Sequence, residues 1–214
     1  LQGKYEALQA LFHQMGSVVI AFSGGVDSTL VLKVGFDTLG AQTKAVTAIS
    51  PTFPSLEVEE AKRLSAAIGA PLQFVETDQL QIDAFVRNDA TRCFHCKTDL
   101  YRLLSSLRDA VGFQTIVDGT NVDDLKEDRP GINAARQLGV RSPLVEAGFG
   151  KADIRELAKG LGLANWNKPA AACLSSRITR GLPITKAYLS RVERAEAFLV
   201  AQGVTQVRVR LHGD

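Results

Sequence analysis

Short, almost wholly apolar segments alternate along the chain with longer segments of helical periodicity. Residues 17–22 are apolar at nearly every position, a pattern typical of a strand buried on both faces of a parallel sheet. Further strands are predicted at residues 44–50, 72–76 and 115–118, with a last strand reached through 140–145, and helices at 27–39, 56–68, 132–138 and 185–201. This alternation predicts an α/β fold with a doubly wound parallel sheet and helices on both faces.

The composition excludes several classes of protein. Apolar residues make up 45% of the 214 residues and charged residues 22%, as in a globular rather than a disordered chain. The formal net charge of +2 gives no general attraction to nucleic acid or to an anionic membrane. The longest apolar run, residues 18–22, is far shorter than the roughly twenty residues of a transmembrane helix. Three cysteines, an odd number, predict no disulfide framework, and a cytoplasmic protein is expected.

A change in composition near residues 164–169 divides the chain into two predicted parts. Residues 1–164 are expected to form the α/β domain, and residues 165–214 a linker and the start of a smaller α+β domain. Residues 206–211 alternate between apolar and polar side chains, as in a strand with one exposed face. Since one helix and one strand cannot close a core alone, we expect this smaller domain to be incomplete within the chain.

A glycine-rich turn follows the first strand and opens the next helix. Its glycines and polar residues are Ser23, Gly24, Gly25, Asp27 and Ser28. Two adjacent glycines let the backbone approach a ligand closely, and the free N–H groups at a helix start attract phosphate. The hydroxyls add donors, and Asp27 could hold Mg²⁺ on the phosphates. A tight turn in which Ser28 or Asp27 caps the helix is the structural alternative.

The sequence Ser-Gly-Gly-Val-Asp-Ser at residues 23–28 resembles the PP-loop of ATP pyrophosphatases, the family of GMP and NAD synthetases and of tRNA-thiolating enzymes. It differs from the Walker A and dinucleotide-binding patterns. The resemblance implies an adenine nucleotide alpha hydrolase-like fold that binds ATP and Mg²⁺, cleaves ATP between the α- and β-phosphates and adenylates a substrate. Residues 118–124, which include Asn121, resemble the family's second nucleotide and metal segment, and an Asx-rich turn is their alternative interpretation.

Three cysteines form a second group of residues with distinctive chemistry. Cys93 and Cys96 make a Cys-x-x-Cys pair, and Cys173 stands alone much later in the chain. Such a set is compatible with zinc, a redox pair, an iron–sulfur cluster or two inert thiols on successive helical turns. Structural zinc usually has four ligands, and His95, between the paired cysteines, is poorly placed to supply the fourth. Three thiolates on an iron–sulfur cluster would leave one iron open, which fits the cysteine count.

Four further segments resemble the LarE family of ATP-dependent sulfur transferases: residues 129–131 (Arg-Pro-Gly), 165–168 (Asn-Trp-Asn-Lys), 173–177 (Cys-Leu-Ser-Ser-Arg) and 207–210 (Val-Arg-Val-Arg). The resemblance implies a role in building the nickel-pincer nucleotide cofactor of lactate racemase. A carboxylate of pyridinium-3,5-biscarboxylic acid mononucleotide would be adenylated, with release of pyrophosphate, and then converted to a thiocarboxylate. Adenylation turns the carboxylate oxygen into a leaving group.

The LarE resemblance also implies roles for the cysteines. Family members with three cysteines use a [4Fe–4S] cluster to carry a transferable sulfide, so Cys93, Cys96 and Cys173 are predicted as cluster ligands. In single-cysteine members, the residue that matches Cys173 gives up its own sulfur and becomes dehydroalanine. This sacrificial route, with Cys93 and Cys96 as spare structural residues, is the rival hypothesis. The cluster route requires a sulfide donor as a partner.

The same resemblance places charged residues around the substrate. Lys97 is expected near the adenylate, and Glu196 as a further Mg²⁺ ligand. The predicted phosphate-binding residues are Ser176, Arg177, Arg208 and Arg210. Arginine suits such a site because its planar fork matches phosphate oxygens. The structural alternatives are a solvated lysine and an exposed edge strand protected by its charges. A homo-oligomer is also implied.

Two other functions are compatible with the sequence. A tRNA-thiolating enzyme would share the PP-loop and often a three-cysteine cluster, but the chain has no N-terminal zinc-binding cysteine pairs and no basic aromatic surface for RNA. A nucleotide-binding subunit without catalysis would bind ATP and release no pyrophosphate. The leading prediction is an enzyme that acts on a small pyridinium mononucleotide, with neither nucleic acid nor membrane as a partner.

Overall fold

The computed structural model describes residues 1–126 and 130–213. This part of the chain contains one parallel sheet, with strands β1 (Val18–Ala21), β2 (Thr43–Ile49), β3 (Leu72–Glu76) and β4 (Thr115–Val117) in the order β3-β2-β1-β4. The helices are α1 (Gln2–Met15), α2 (Val26–Leu39), α3 (Ser55–Ile68), α4 (Asp83–Val86), α5 (Arg92–Val111), α6 (Pro130–Gln137), α7 (Pro143–Glu146), α8 (Lys151–Gly160) and α9 (Lys186–Ala201). Among these helices, none is long and apolar enough to cross a membrane. The predicted α/β fold is confirmed.

β1 is an inner strand of the sheet, and it is buried on both faces. It pairs in parallel with β2 on one side and with β4 on the other. Val18 and Ile20 belong to a core that includes residues of α1, α2 and α8, whereas Val19 belongs to a second core that includes residues of α5 and α6. Successive side chains of a strand point to opposite faces, so helices on both faces of the sheet explain why this segment is continuously apolar.

The strand order places a topological switch point beside β1. The chain passes from β1 to β2 and β3 on one side, and β4 then pairs with β1 on the other side. In open α/β sheets, the crevice outside the carboxyl ends of the strands at such a point is where ligands bind. The glycine-rich turn follows β1, and residues 118–121 follow β4. Both predicted nucleotide-binding segments therefore lie at the switch point.

The prediction of a last strand reached through residues 140–145 is wrong, because the described residues contain no strand after β4. Within the described residues, this segment contributes one isolated parallel bridge, from Arg141 to Val117. Ser142 is the N-cap of α7, and Pro143 occupies the first position of that helix. Proline has no N–H to donate to a strand ladder, and its fixed φ suits the first turn of a helix. The chain consequently leaves the sheet after one bridge.

The predicted strand at residues 206–211 is also wrong, although its alternation is confirmed. Residues 207 and 209 are half-buried and 211 is buried, whereas residues 208 and 210 are exposed. The backbone N–H of Val209 donates to Glu196 Oε1 (2.9 Å), and Leu211 forms an isolated bridge with Ile178. Because these backbone groups bond to a side chain and to a single bridge, the segment is extended without joining a sheet.

A third apolar cluster joins the last part of the chain to the α/β part. Ile178, Leu189 and Val192 are buried in it together with Phe85 of α4. In the predicted linker, Trp166 packs against the core around β1. Since both parts of the chain contribute to this packing, the domain boundary at residues 164/165 stays a prediction.

Candidate active site

The glycine-rich turn after β1 forms a closed loop of polar contacts. Gly24 has a φ of 72°, in the left-handed region that favours glycine. The hydroxyls of Ser23 and Ser28 lie 3.1 Å apart, and the Ser28 hydroxyl also donates to the Gly25 carbonyl (3.1 Å). Gly25 is the N-cap of α2 in extended conformation, so the loop leads directly into the helix start. This arrangement brings together Ser23, Gly24, Gly25 and Ser28, the residues of the turn that were predicted to bind phosphate, at a helix N-terminus.

Asn165, from the Asn-Trp-Asn-Lys segment, hydrogen-bonds the turn after β1. Its side-chain amide donates to the carbonyl of Gly24 (3.1 Å) and to the hydroxyl of Thr29 (3.0 Å). The residue is only 3% exposed, and its Oδ1 has no hydrogen-bond partner within the described residues. A buried amide with two such bonds fixes the loop conformation. Sequence reasoning assigned Asn165 only to a family motif and missed this contact.

Asp27, the predicted Mg²⁺ ligand, is held by a lysine that the sequence analysis did not single out. The Lys151 ammonium lies 2.8 and 2.6 Å from the two carboxylate oxygens of Asp27. The backbone N–H of Lys151 donates to Oδ2 of Asp123 (2.7 Å), which lies in the predicted second nucleotide segment. Lys151 thus joins the turn after β1 to the segment after β4.

The segment after β4 is built on buried hydrogen bonds. Asp118 accepts from the hydroxyls of Tyr101 (2.9 Å) and Ser142 (2.8 Å), and burial together with this carboxylate raises the pKa of Tyr101 well above its usual range. Asn121 is buried, and its Oδ1 accepts from the backbone N–H groups of Asp123 and Asp124. These are the contacts of an Asx turn, so the Asx turn that was the alternative interpretation of this segment is present at Asn121.

Gly119 lies where the two segments touch. A Cβ atom built on Gly119 would lie 2.8 Å from the backbone nitrogen of Ser28 and 3.1 Å from its Cα. Real Cβ atoms do not approach backbone so closely, and neither strand end can shift without disturbing the sheet. Only glycine permits this contact between the start of α2 and the segment after β4.

Gly119→Ala is therefore expected to destabilise the protein by about 1–3 kcal/mol and to weaken ATP binding, because the added methyl pushes the two segments apart. Thermal unfolding and ATP titration measure the two effects. Gly160→Ala is the matched control, since a Cβ at Gly160 meets nothing within 4 Å. Unchanged unfolding and ATP affinity in Gly119→Ala would mean that the close approach has no importance for the site.

The three cysteines lie on two segments that face each other. Cys93 and Cys96 are on the first turns of α5, the former exposed and the latter half-buried, and Cys173 is half-buried just before a short 3₁₀ turn. Burial raises the pKa of the Cys96 thiol to about 11; Lys97 lowers it, and Cys173 and Cys93 raise it. Cys96 packs against the apolar cluster that contains Leu174, the residue after Cys173, so the structure brings the three predicted thiols into one region.

Arg92 connects the two cysteine-bearing segments, and sequence reasoning missed it. It is buried at the start of α5, where its guanidinium donates to the side chain of Asn88 (2.6 Å) and to the carbonyl of Ser175 (3.1 Å). The same guanidinium lies 3.9 Å from Cys93 Sγ. Arg92 therefore fixes the position of Cys93 relative to the chain that follows Cys173.

Arg177 hydrogen-bonds the backbone of the Cys173 loop. It pairs with Glu196, with Nε to Oε1 at 2.9 Å and Nη2 to Oε2 at 3.1 Å. Its Nη1 donates to the carbonyls of Ala172 (2.5 Å) and Cys173 (3.0 Å). Glu196, the predicted Mg²⁺ ligand, is thus paired with Arg177 in the structure. Arg177 in turn hydrogen-bonds the backbone at Ala172 and Cys173. Ser176 also bonds this backbone, through its hydroxyl to the Cys173 carbonyl (2.8 Å).

A cavity of about 870 Å³ opens beside the Cys173 loop. Residues on both sides of Cys173 line it, together with the start of α3, one face of α9 and residues 205–208. Lys168 and Arg177 line the cavity, and each is paired with a glutamate. Arg208 lines it too, and its guanidinium donates to the carbonyl of Ala170 (2.8 Å). Of the predicted phosphate-binding arginines, Arg210 is exposed and does not line this cavity.

Lys97 lies on α5, next to Cys96. Its ammonium lies 5.4 Å from the centre of the Tyr101 ring, and its stem lies against Gly131 at the start of α6. Such a cation–π contact stabilises an ammonium near an aromatic face. Arg129, which belongs to the same Arg-Pro-Gly motif as Gly131, lies outside the described residues. Lys97 is therefore positioned beside the thiols, and its role at the adenylate stays a prediction.

Sequence comparison identifies the family. No family model matches the chain. It is 38% identical over its full length to the pyridinium-3,5-bisthiocarboxylic acid mononucleotide synthase of Lactiplantibacillus plantarum, 78% of whose length is covered. It is also 43% identical to an uncharacterised protein of Synechocystis sp., over 98% of this chain and 78% of that one, and 31% identical to an uncharacterised protein of Methanocaldococcus jannaschii, over 90% and 73%. The chain belongs to the LarE family.

The fold agrees with LarE membership. A parallel sheet flanked by helices, with the PP-loop sequence after its inner strand β1, is consistent with the PP-loop ATP pyrophosphatase fold that the sequence resemblance implied. Three of the other LarE-like segments have described positions. Asn165 bonds the PP-loop, Arg177 bonds the backbone of the Cys173 loop, and Arg208 lines the cavity. Residues far apart in the sequence thus converge around the carboxyl edge of the sheet and the adjoining cavity.

Proposed function

We propose that this LarE protein uses ATP to replace a carboxylate oxygen of a pyridinium mononucleotide with sulfur. The observation that carries the proposal is the position of the Cys173 loop at the sheet edge that bears the PP-loop. The backbone N–H of Leu174 donates to the carbonyl of Thr52, shortly after β2 (2.9 Å), and β2 is the neighbour of β1. The L. plantarum relative is a pyridinium-3,5-bisthiocarboxylic acid mononucleotide synthase by name, which supports a pyridinium mononucleotide as the substrate.

In the first step the PP-loop binds the phosphates of ATP. The backbone N–H groups at the start of α2 and the hydroxyls of Ser23 and Ser28 would donate to phosphate oxygens. Asp27 and Asp123 supply carboxylate oxygens, the donor type that suits Mg²⁺, which commonly binds one or two carboxylates and the substrate phosphates. The substrate carboxylate attacks the α-phosphorus, the bond to the β-phosphate breaks, and pyrophosphate leaves. An acyl adenylate results.

The substrate would occupy the cavity beside Cys173. Its volume, about 870 Å³, lies within the ~300–1,000 Å³ of small-molecule sites. Arg208 and Lys168 offer cationic groups for the phosphate of a mononucleotide, and Arg177 forms part of the cavity wall. Asn165 bonds the PP-loop, and Lys168, three positions later in the sequence, lines the cavity. A single short segment therefore contacts both the proposed ATP site and the proposed substrate site.

In the second step a sulfur nucleophile attacks the acyl carbon of the adenylate. With sulfide as the nucleophile, the bond from this carbon to the AMP oxygen breaks, AMP leaves, and a thiocarboxylate remains, so one oxygen has been exchanged for one sulfur. With the Cys173 thiolate as the nucleophile, AMP leaves in the same way and a thioester forms; loss of the Cα proton of Cys173 and cleavage of its Cβ–Sγ bond would then release the thiocarboxylate and leave dehydroalanine. Lys97, beside Cys96, would hold positive charge near the developing oxyanion. Since ATP supplies the leaving group, no oxidant or reductant is needed.

The three thiols fit the protein side of a [4Fe–4S] cluster. Cys96 packs against the cluster that contains Leu174, next to Cys173. Arg92, next to Cys93, bonds the Ser175 carbonyl, so the two cysteine-bearing segments are held together. Within the described residues, no group of three or more His, Cys, Asp or Glu side chains could hold a single metal ion. Cys93, Cys96 and Cys173 would each supply one thiolate to the cluster. When bound, the cluster would supply a carrier for sulfide delivered by a donor. The alternative source of sulfur is Cys173 itself, which would become dehydroalanine.

Two further expectations belong to this proposal. The three free thiols suit the reducing cytoplasm. A homo-oligomer is expected to use α9, on which Phe198 is 66% exposed. Gel filtration with light scattering measures the oligomeric state.

The adenylation step is tested by pyrophosphate release. The protein is incubated anaerobically with Mg²⁺, ATP and pyridinium-3,5-biscarboxylic acid mononucleotide, and nicotinamide mononucleotide, which has no free carboxylate, serves as the control substrate. We expect release that requires the biscarboxylic compound. ATP binding without release would favour a non-catalytic nucleotide-binding subunit, and release that depends on tRNA would favour tRNA thiolation.

A further inference from the structure

The ion pair between Lys151 and Asp27 occupies the place where the nucleotide's metal ion is expected. The ammonium contacts both carboxylate oxygens, at 2.8 and 2.6 Å. The two side chains are about one-third and one-quarter exposed, so both can be reached from solvent. Lys151 is the first residue of α8, and its backbone N–H is fixed by Asp123 (2.7 Å). Its Cα is therefore anchored while its long side chain can change partner.

An ammonium on both oxygens of Asp27 competes with a divalent cation for the same lone pairs. When Mg²⁺ arrives on ATP and binds Asp27, the positive charge of Lys151 is repelled from that carboxylate. The new anionic groups at this point are the phosphate oxygens themselves, since Asp27 is the second residue of the helix whose N-terminus forms the PP-loop. A lysine is a flexible point charge that suits such a transfer.

We propose that Lys151 is a further catalytic residue of the adenylation step: it screens Asp27 before the nucleotide binds and then moves to the departing pyrophosphate. This inference rests on the proposed function. Negative charge builds up on the β-phosphate as its bond to the α-phosphorus breaks, and the ammonium stabilises that charge. Lys151 forms no covalent bond and keeps its protons throughout.

A purely structural role for the pair would predict different behaviour. α8 is already anchored by apolar burial, because Ile154 and Leu157 lie in the core around β1. A second ion pair on the same helix, between Lys4 and Asp153 (2.6 Å), has similar exposure but no contact with the PP-loop. It offers a matched control for the loss of one ion pair on α8.

The test compares Lys151→Met, Lys151→Arg and Lys4→Met by binding and by rate. In the nucleotide-free protein, Lys151→Met is expected to bind Mn²⁺ about two- to fivefold more tightly, measured by electron paramagnetic resonance, because its competitor is gone. The same variant is expected to bind inorganic pyrophosphate with Mg²⁺ about tenfold more weakly, measured by calorimetry. Its rate of pyrophosphate release from ATP is expected to fall about 100-fold.

The opposite signs of these effects separate a catalytic role from a structural one. Lys151→Arg is expected to recover most of the pyrophosphate affinity, and Lys4→Met to resemble the wild type in all three measurements. Equal Mn²⁺ and pyrophosphate affinities in Lys151→Met and wild type would overturn the inference. If the wild type releases no pyrophosphate, the proposed function fails, but the two binding measurements still decide the inference about Lys151.

Discussion

Asp27→Asn is expected to slow pyrophosphate release by about 100-fold or more while the protein stays folded. The substitution replaces a charged oxygen ligand with a neutral amide of the same shape, so Mg²⁺ on the phosphates loses its carboxylate. It also removes the anionic partner of Lys151, which contacts both oxygens of Asp27. Steady-state assays of pyrophosphate at saturating ATP measure the effect, and circular dichroism checks the fold.

Asp37→Asn is the matched control for this variant. Asp37 lies on the same helix, α2, and forms an ion pair of similar length with Lys33 (2.7 Å), away from the turn after β1. We expect this control to release pyrophosphate at the wild-type rate. A normal rate in Asp27→Asn would remove Asp27 from the metal site and would contradict the PP-loop assignment.

Cys173→Ala is expected to abolish the sulfur-containing product while leaving pyrophosphate release nearly intact. The reason is that Cys173 supplies sulfur under one hypothesis and a cluster ligand under the other, whereas adenylation uses the PP-loop. Mass spectrometry of the pyridinium product and a parallel pyrophosphate assay separate the two steps. Sulfur insertion at the wild-type rate without this thiol would exclude both hypotheses.

Cys93→Ala distinguishes those hypotheses. With a cluster held by three thiols, this variant is expected to lose bound iron and to make no more product than one molecule per chain. Cys93 is exposed, so its removal leaves no buried cavity and is not expected to unfold the protein. If iron content and repeated turnover are unchanged, Cys93 is no ligand. Loss of sulfur from the Cys173 side chain, seen by protein mass spectrometry, would then mark the sacrificial route.

Local patterns made the sheet predictable. The continuous apolar run before Ser23 predicted a strand buried on both faces, and the structure places β1 inside the sheet. The turn after β1 and the segment after β4 each directly follow a strand. Because the sheet is parallel, both lie at the same edge. The last strand that was expected through 140–145 is absent because Pro143 starts a helix there, a signal that the sequence contained.

The missing parts of the site are contacts between distant residues. Lys151 lies 124 positions from Asp27 in sequence, and Asn165 lies 141 positions from Gly24. Nothing local distinguishes Lys151 from other lysines at helix starts. Arg92 differs, since it adjoins Cys93 and could have been considered with it. Its burial depends on the approach of the Cys173 segment, which only the folded chain shows.

The proposed sulfur insertion is tested by the mass of the pyridinium product after anaerobic incubation with ATP, Mg²⁺ and sulfide. We expect a product in which sulfur has replaced a carboxylate oxygen, formed with one AMP and one pyrophosphate per sulfur inserted. Product in molar excess over protein would assign the sulfur to a carried sulfide, as three thiol ligands on a cluster require. A pyridinium compound that contains no sulfur after ATP has been consumed would contradict the proposed sulfur insertion.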